Sequence, residues 1–249
     1  MSGESIKTKA IVCRSTNTGE NDKMLTLLSG ELGKISVIAK GVRSLKHKSR
    51  AACGVLCYSG FVLKKIKDGL YSLVSAELIE GFRPLSERIE LLSAGNYFAN
   101  LSESCIMQGT AAADEVSLLL NALYMLGRRP ESIWLIKAVF EIKLCELLGI
   151  MPEFSENCPC NEKATHFCVS DGEMRCDAHK DGDCVFISAG PLALACYIAK
   201  NSLRDSFFAV CNEGDAQKLS AFTEPFLQFH LGKLPNSLEY FYSILKNLQ

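Results

Sequence analysis

Two sets of residues in this chain could do chemistry. The first lies between Lys34 and Lys67, where nine Lys or Arg occur with no Asp or Glu. They are Lys34, Lys40, Arg43, Lys46, Lys48, Arg50, Lys64, Lys65 and Lys67. These cations sit on and between short apolar, strand-like runs. That pattern predicts a positively charged face on a small β-domain, which is how a protein grips a phosphate backbone. The second set is Cys158-Pro-Cys160 followed, after fifteen intervening residues, by Cys176-Asp-Ala-His179. Zinc takes four thiolate or imidazole ligands in a tetrahedron, commonly offered as two short-spaced pairs. Cys-x-x-His is an ordinary second pair. Cys-x-Cys is one residue shorter than the usual first pair, so Cys168, Cys184 and His166 stand as alternative ligands. Four protein ligands would close the site and make it structural, with no open position for a reacting group.

Motifs for turnover chemistry are scarce. Gly30-Glu-Leu-Gly33-Lys34 is two residues short of a phosphate-binding loop, and Ile35 replaces the Ser or Thr that would hold magnesium. Neither G-x-S-x-G nor H-E-x-x-H occurs among the 249 residues. Of the four His, His47 lies in the basic run, and His230, ending an apolar helix, reads as a satisfied, partly buried side chain. The sequence therefore reads as a binding protein and not as an enzyme.

The overall formal charge of -1 conceals an asymmetry. Residues 1–85 carry 14 basic and 7 acidic side chains, a net of +7; the remainder carries 13 and 21, a net of -8. One part is suited to a polyanion and the other is not. No apolar stretch is long enough to cross a bilayer, and the first ten residues hold no apolar signal region. The expected location is the cytoplasm. Cys13, Cys53, Cys57, Cys105, Cys145, Cys196 and Cys211 are scattered among apolar neighbours and read as small hydrophobes. The remaining five cysteines fall within 27 residues.

The elements that must position these groups come in two kinds. Thr8–Arg14, Met24–Leu28, Ile35–Ala39, Val55–Leu63 and Leu70–Leu78 are short runs rich in Val, Ile and Leu, bounded by turn signals such as Gly30…Gly33 and Asp68-Gly69. Five such strands predict a small oligonucleotide-binding (OB-fold) barrel over residues 1–82. Its aromatics are few: Tyr58, Phe61 and Tyr71, with Phe61 expected in the core. From Pro84 helical periodicity takes over, at Leu85–Met107, Asp114–Leu126, Glu131–Leu148, Pro191–Lys200, Ala216–His230 and Leu238–Leu248. The third of these is apolar on nearly all sides, with a narrow polar strip at Lys137, Glu141 and Lys143, and reads as a central buried helix. The expected class is α+β: the barrel, then an α-helical bundle over 83–249, interrupted at about 152–186 by the acidic, Cys-rich segment.

These strings together resemble the bacterial RecO family. Thr18 to Arg50 (TGENDKMLTLLSGELGKISVIAKGVRSLKHKSR) carries the resemblance, as does Phe140 to Phe154 (FEIKLCELLGIMPEF) with a Cys-rich segment directly after it. Glu20-Asn-Asp22, Ala39-Lys40-Gly41-Val42-Arg43 and Glu141 through Gly149 are its most specific parts. The order of barrel, helical domain and zinc-finger-like insertion matches almost end to end. The chain departs from the family at the metal ligands. Asn157 stands where the first Cys of a Cys-x-x-Cys pair is usual, Cys158 is displaced by one, and His179 replaces a Cys.

The resemblance implies a recombination mediator of RecF-pathway DNA repair. Such proteins bind single- and double-stranded DNA and anneal complementary strands. With the partner RecR they help load a recombinase onto DNA coated by single-strand-binding protein (SSB), whose acidic tail would dock in an apolar pocket of the helical part. It also implies a bacterial, nucleoid-associated protein. On this reading Lys34, Lys40, Arg43, Lys46, Lys48 and Arg50 contact DNA phosphates, and Cys158, Cys160, Cys176 and His179 hold a structural Zn2+. Two other readings use the same residues: an OB-fold that binds RNA, and a zinc-stabilised scaffold that binds only proteins.

Overall fold

The computed structural model describes residues 5–248. They form two compact units, one running up to Gly127 and resuming at Pro235, the other spanning Arg128–Leu234. The first unit contains the predicted barrel. Its strands are β1 (Ser5–Thr18), β2 (Asp22–Ser29), β3 (Gly33–Ala39), β4 (Tyr58–Lys67) and β5 (Leu70–Glu80). They close in the order β1-β2-β3-β5-β4, with β4 returning to β1. All pairings are antiparallel except β3 with β5, where Ser36, Val37 and Ile38 oppose Leu70, Tyr71 and Ser72 in parallel. All five predicted strands are present, each longer than its apolar run; the fourth is also shifted, starting at Tyr58 and not at Val55 and continuing to Lys67.

The barrel interior follows from period-two burial. In β3, Ile35, Val37 and Ala39 point inward while Lys34, Ser36 and Ile38 lie on the other face. The inward set meets Val12, Leu25, Leu27, Phe61, Leu63 and Tyr71 in one core. Phe61 is buried as expected, and so is Tyr71, which leaves Tyr58 as the barrel's partly exposed aromatic. Gly33 ends the β2–β3 turn at φ +63°, and a Cβ there would meet the Thr110 and Met107 carbonyl oxygens at 2.3 and 2.4 Å. Only glycine fits both the left-handed backbone and that approach. The Gly30–Lys34 segment is thus a hairpin turn between antiparallel strands.

Helices α1 (Arg83–Ser86), α2 (Ile89–Cys105), α3 (Ala113–Arg128) and α8 (Ser237–Asn247) complete the first unit. The single helix expected over Leu85–Met107 is broken at Glu87-Arg88, and the pieces pack on each other. The expected boundary near residue 82 separates strands from helices, whereas these four helices share the barrel's compact unit.

The second unit is built on α4 (Ile133–Leu147), α5 (Ala189–Lys200), α6 (Leu203–Phe207) and α7 (Glu213–Leu231). The helix α6 has no counterpart in the predicted elements. As expected, α4 is central, and its polar strip faces inward. Lys137 and Glu141 are both fully buried one turn apart, with Nζ 2.7 Å from the carboxylate. The Lys137 Nζ also reaches Ser220 Oγ at 3.0 Å and Glu224 at 2.6 Å, and Thr223 Oγ1 donates to Glu141 at 2.5 Å. Buried charges persist only when paired and hydrogen-bonded, so this cluster locks α4 to one register on α7. His230 proves exposed, not partly buried, and its ring lies 4.3 Å from that of Phe226. Among the described residues no helix is long and apolar enough to cross a membrane.

The buried cluster sets a stability expectation. Lys137→Met leaves Glu141 buried without its cation and should cost about 3–5 kcal/mol. Lys137→Met with Glu141→Leu should recover part of that, because two apolar groups replace the fully buried pair while Glu224, the third member, keeps some access to water. Urea unfolding followed by far-UV circular dichroism reads both; a double variant no more stable than Lys137→Met would contradict the assignment.

Candidate functional site

Because β3 is followed in the barrel wall by β5, the chain must cross from β3 to β4 outside the wall. This crossing, residues 40–57, carries most of the basic run. Hydrogen bonds from two directions hold it. The Gly41 amide, at φ +67°, donates to Asp22 Oδ1 at 2.8 Å, and the Arg43 amide donates to the Asn21 carbonyl at 3.1 Å. The Arg43 guanidinium donates to the Gly19 carbonyl at 3.0 Å. The Glu20–Asp22 and Ala39–Arg43 strings, about twenty residues apart in sequence, are therefore one structural unit at one end of the barrel. Further on, successive turns place His47, and Ser49 Oγ accepts the Ala76 amide of β5 at 2.9 Å. The short 3-10 turn Ala51–Cys53 then plugs the barrel with Ala52 and Cys53.

Lys40, Lys46, Lys48 and Arg50 project from this anchored crossing into solvent. None of the four makes an ion pair among the described residues. Arg43 is half-buried, so its guanidinium serves the fold as well as the surface. Lys34 stands apart from the crossing, and its Nζ donates to the Glu103 carbonyl at 3.0 Å, at the C-terminal end of α2. A cation there is favoured by the helix dipole. The structure thus brings five of the six predicted residues onto one crossing and places the sixth elsewhere.

Sequence reasoning passed over Lys7 and Lys9. Both project from the outer face of β1, opposite Val62 and Gly60 of β4. With Lys48 and Tyr58 they line a groove of about 1310 Å³ whose other wall is α3, through Val116, Leu120 and Tyr124. Their alternation, Lys7-Thr-Lys9 with Thr8 buried, was the available signal. Glu31, Glu77 and Glu80 share this groove, so its charge is mixed.

In the second unit the Cys-rich segment forms its own small sheet, β6 (His166–Cys168), β7 (Met174–Arg175) and β8 (Cys184–Phe186), in the order β7-β6-β8. It also has an apolar anchor. The Phe167 ring stacks on Phe154 at 5.6 Å and meets Phe222 and Phe226 of α7 edge-on. Beyond that anchor, Cys158, Cys160, Cys176 and His179 converge, with one ligand atom from each within 4.8 Å of the others. Cys160 Sγ lies 3.7 Å from Cys176 Sγ, and His179 Nδ1 lies 3.3 and 3.8 Å from Cys176 and Cys158 Sγ. A tetrahedron of three thiolates and one imidazole around a divalent ion has edges of roughly 3.6–3.8 Å. The donor set and spacing fit one metal ion.

Backbone amides prepare the cluster. Those of Cys160 and Cys176 donate to the Cys158 sulfur and lower its pKa to about 6, although burial opposes the shift. Cys160 moves the other way, against the help of the Glu162 amide, because it shares protons with Cys158 and Cys176. The tight turn that permits this has Asn161 at φ +67°. The alternative ligands lie outside the cluster. Cys168 and Cys184 are bonded to each other, and His166 Nδ1 is 2.9 Å from Thr165 Oγ1. By contrast, burial raises the pKa of Cys53 to about 11 and that of Cys13 well above the usual thiol range, as expected of small hydrophobes.

The family model described as Recombination protein O N terminal matches residues 1–82, and that described as Recombination protein O C terminal matches residues 86–239. The chain belongs to the RecO family. Proteins named DNA repair protein RecO are similar to it along its length. That of Caldicellulosiruptor bescii is 31% identical over 241 residues, covering 95% of this chain and 97% of the relative. That of Acetivibrio thermocellus is 30% identical over 240 residues, covering 94% and 95%. A third, from Clostridium novyi, is 24% identical over 238 residues, covering 94% and 93%. The boundary between the two RecO family matches falls at the end of β5, where strands give way to helices.

The cluster geometry sets a ligand test. Cys158→Ser or His179→Ala should lower the metal content of the purified protein well below that of the parent, while Cys13→Ser should leave it unchanged. Removing metal with a chelator should raise amide hydrogen exchange across residues 153–184 and leave the barrel strands protected. Elemental analysis and exchange mass spectrometry check both; metal retained by the Cys158 and His179 variants would move the ligand assignment.

Proposed function

We propose that this chain is a DNA repair protein that binds single- and double-stranded DNA through the β3–β4 crossing and anneals complementary strands without turnover chemistry. The supporting observation is the crossing itself, where Lys40, Lys46, Lys48 and Arg50 are exposed and un-ion-paired on a backbone anchored at both ends. Cations held this way neutralise phosphates and release condensed counterions without reading bases. Of the aromatics in the barrel strands only Tyr58 is partly exposed, so base stacking contributes little and backbone contact dominates. A surface of that kind can hold two strands at once and lower the repulsion that opposes their pairing.

The wider role follows from family membership. On this reading the protein acts as a mediator of RecF-pathway repair. It works with RecR and engages the acidic C-terminal tail of SSB, so that the recombinase loads onto SSB-coated single-stranded DNA. The barrel, residues 1–82, is the DNA-binding domain, and the Cys segment is an accessory module. Cys158, Cys160, Cys176 and His179 would hold a Zn2+ that stabilises this module and supplies no reacting position.

The decisive measurement is salt dependence. Lys40→Ala, Lys46→Ala and Arg50→Ala combined should weaken binding to single strands. The variant should also flatten the plot of log affinity against log salt, by roughly 0.7 for each phosphate that is no longer neutralised. It should lose strand annealing, which should proceed in the parent without ATP. Unchanged affinity and slope in the folded variant would remove the crossing from the interface. Tighter binding to RNA than to DNA of the same length would favour an RNA role instead.

A further inference from the structure

The Cys module holds a second constellation that the Cys158 cluster does not use. Cys168, at the end of β6, and Cys184, at the start of β8, face each other directly in the antiparallel ladder. They are joined as a disulfide with a Cα–Cα distance of 3.9 Å. Asp181 and Asp183 lie in the turn that leads into β8. Asp181 Oδ1 is 3.1 Å from Cys184 Sγ, and Asp183 Oδ2 accepts the Ser170 amide at 2.8 Å. One ligand atom from each of these four residues lies within 4.8 Å of the other three. Neighbouring cations do not neutralise them. Arg175 is paired with Asp171 and Glu173, and Lys180 with Asp177. Among the described residues neither Asp181 nor Asp183 makes an ion pair.

We propose that Cys168, Cys184, Asp181 and Asp183 form a second metal site that is gated by the redox state of its two cysteines. As a disulfide the two sulfurs share a bond, carry no thiolate charge and cannot ligate. Exchange with two molecules of a small thiol breaks that bond, gives two protein thiols, and releases the small molecule as its own disulfide. A divalent cation then displaces the two thiol protons and takes two sulfurs and two carboxylate oxygens. The soft half of this donor set selects a thiophilic ion of the zinc or cadmium class over calcium or magnesium. Occupancy and oxidation exclude each other, because an ion holds its two sulfurs roughly 3.8 Å apart, beyond bonding distance. A small-molecule disulfide acting as oxidant would therefore expel the ion. The facing strands permit both states, since side-chain rotation alone opens the sulfur pair while β6 and β8 stay in register.

The test uses the full-length protein, loaded with zinc and then split into two samples. One is reduced with a phosphine and the other oxidised with oxidised glutathione. Each is equilibrated with cadmium, and total bound metal is measured by elemental analysis alongside thiolate-to-cadmium charge-transfer absorption. The reduced sample should hold one more equivalent of metal than the oxidised one. Cys168→Ser with Cys184→Ser should abolish that difference. Asp181→Asn with Asp183→Asn, a substitution on the surface turn, should weaken the extra equivalent at least tenfold and leave the rest of the bound metal unchanged. Equal metal content in the two redox states would overturn the proposal, as would an extra equivalent that persists without Cys168 and Cys184. An affinity indifferent to the Asp substitutions would overturn the four-ligand site. The readout is a difference between redox states, so it fails or succeeds independently of whether the Cys158 cluster holds zinc.

Discussion

Closure of the barrel by a parallel pairing between β3 and β5 is the constraint from which the first unit follows. Three residue pairs, Ser36–Ile38 against Leu70–Ser72, join the ends of the sheet and leave no free edge. With β5 occupying the place beside β3, the next strand in sequence, β4, is not its neighbour in the wall. The chain leaving β3 must therefore travel past the barrel end before it can enter β4, which lies between β5 and β1. That obligatory crossing is where the acid-free run lies. A segment forced to run over the surface by topology, and anchored at both ends, is well placed to present side chains to a large partner.

The anchoring explains the composition of the crossing. Gly41 adopts a left-handed conformation so that its amide can reach Asp22, and Arg43 returns its guanidinium to the Gly19 carbonyl. Both interactions tie the crossing to the β1–β2 turn. The cations between those ties and Ser49 have no such duties. A rigid loop with free charged tips loses less conformational entropy on meeting a polyanion than a loose one would.

The second unit solves a different problem. Its central helix buries a lysine and a glutamate, which is tolerable only because α7 supplies Ser220, Thr223 and Glu224 to satisfy them. Specificity of helix register is a reasonable return for that desolvation. The Cys module hangs on α7 by an aromatic anchor, Phe167 among Phe154, Phe222 and Phe226. Past that anchor the module has strands of only two or three residues, a few buried apolar side chains such as Met174 and Ile187, and the Arg175 ion pairs with Asp171 and Glu173.

Much of this protein is legible in the residues alone. Alternation in runs such as Gly33–Ala39 marks strands with one buried face, because side chains on a strand must point to opposite sides. The apolar circumference of Ile133–Leu147 marks a central helix. The residue types of Cys158, Cys160, Cys176 and His179 by themselves name a metal-type chemistry. Other features depend on distance in space, which periodicity and spacing do not encode. The charges of Lys34 and Lys48 look alike in sequence, yet one caps a helix and the other faces solvent, since that depends on where α2 ends. Tyr71 is as polar at its tip as Tyr58, and only barrel closure decides which of them is covered. The strip of Lys137 and Glu141 reads as a polar edge until α7 is laid against it. Likewise, Cys168 and Cys184 could have served the same cluster as Cys158. The pairing of β6 with β8 sets them opposite each other instead, because strand register, a tertiary choice, determines which cysteines can meet.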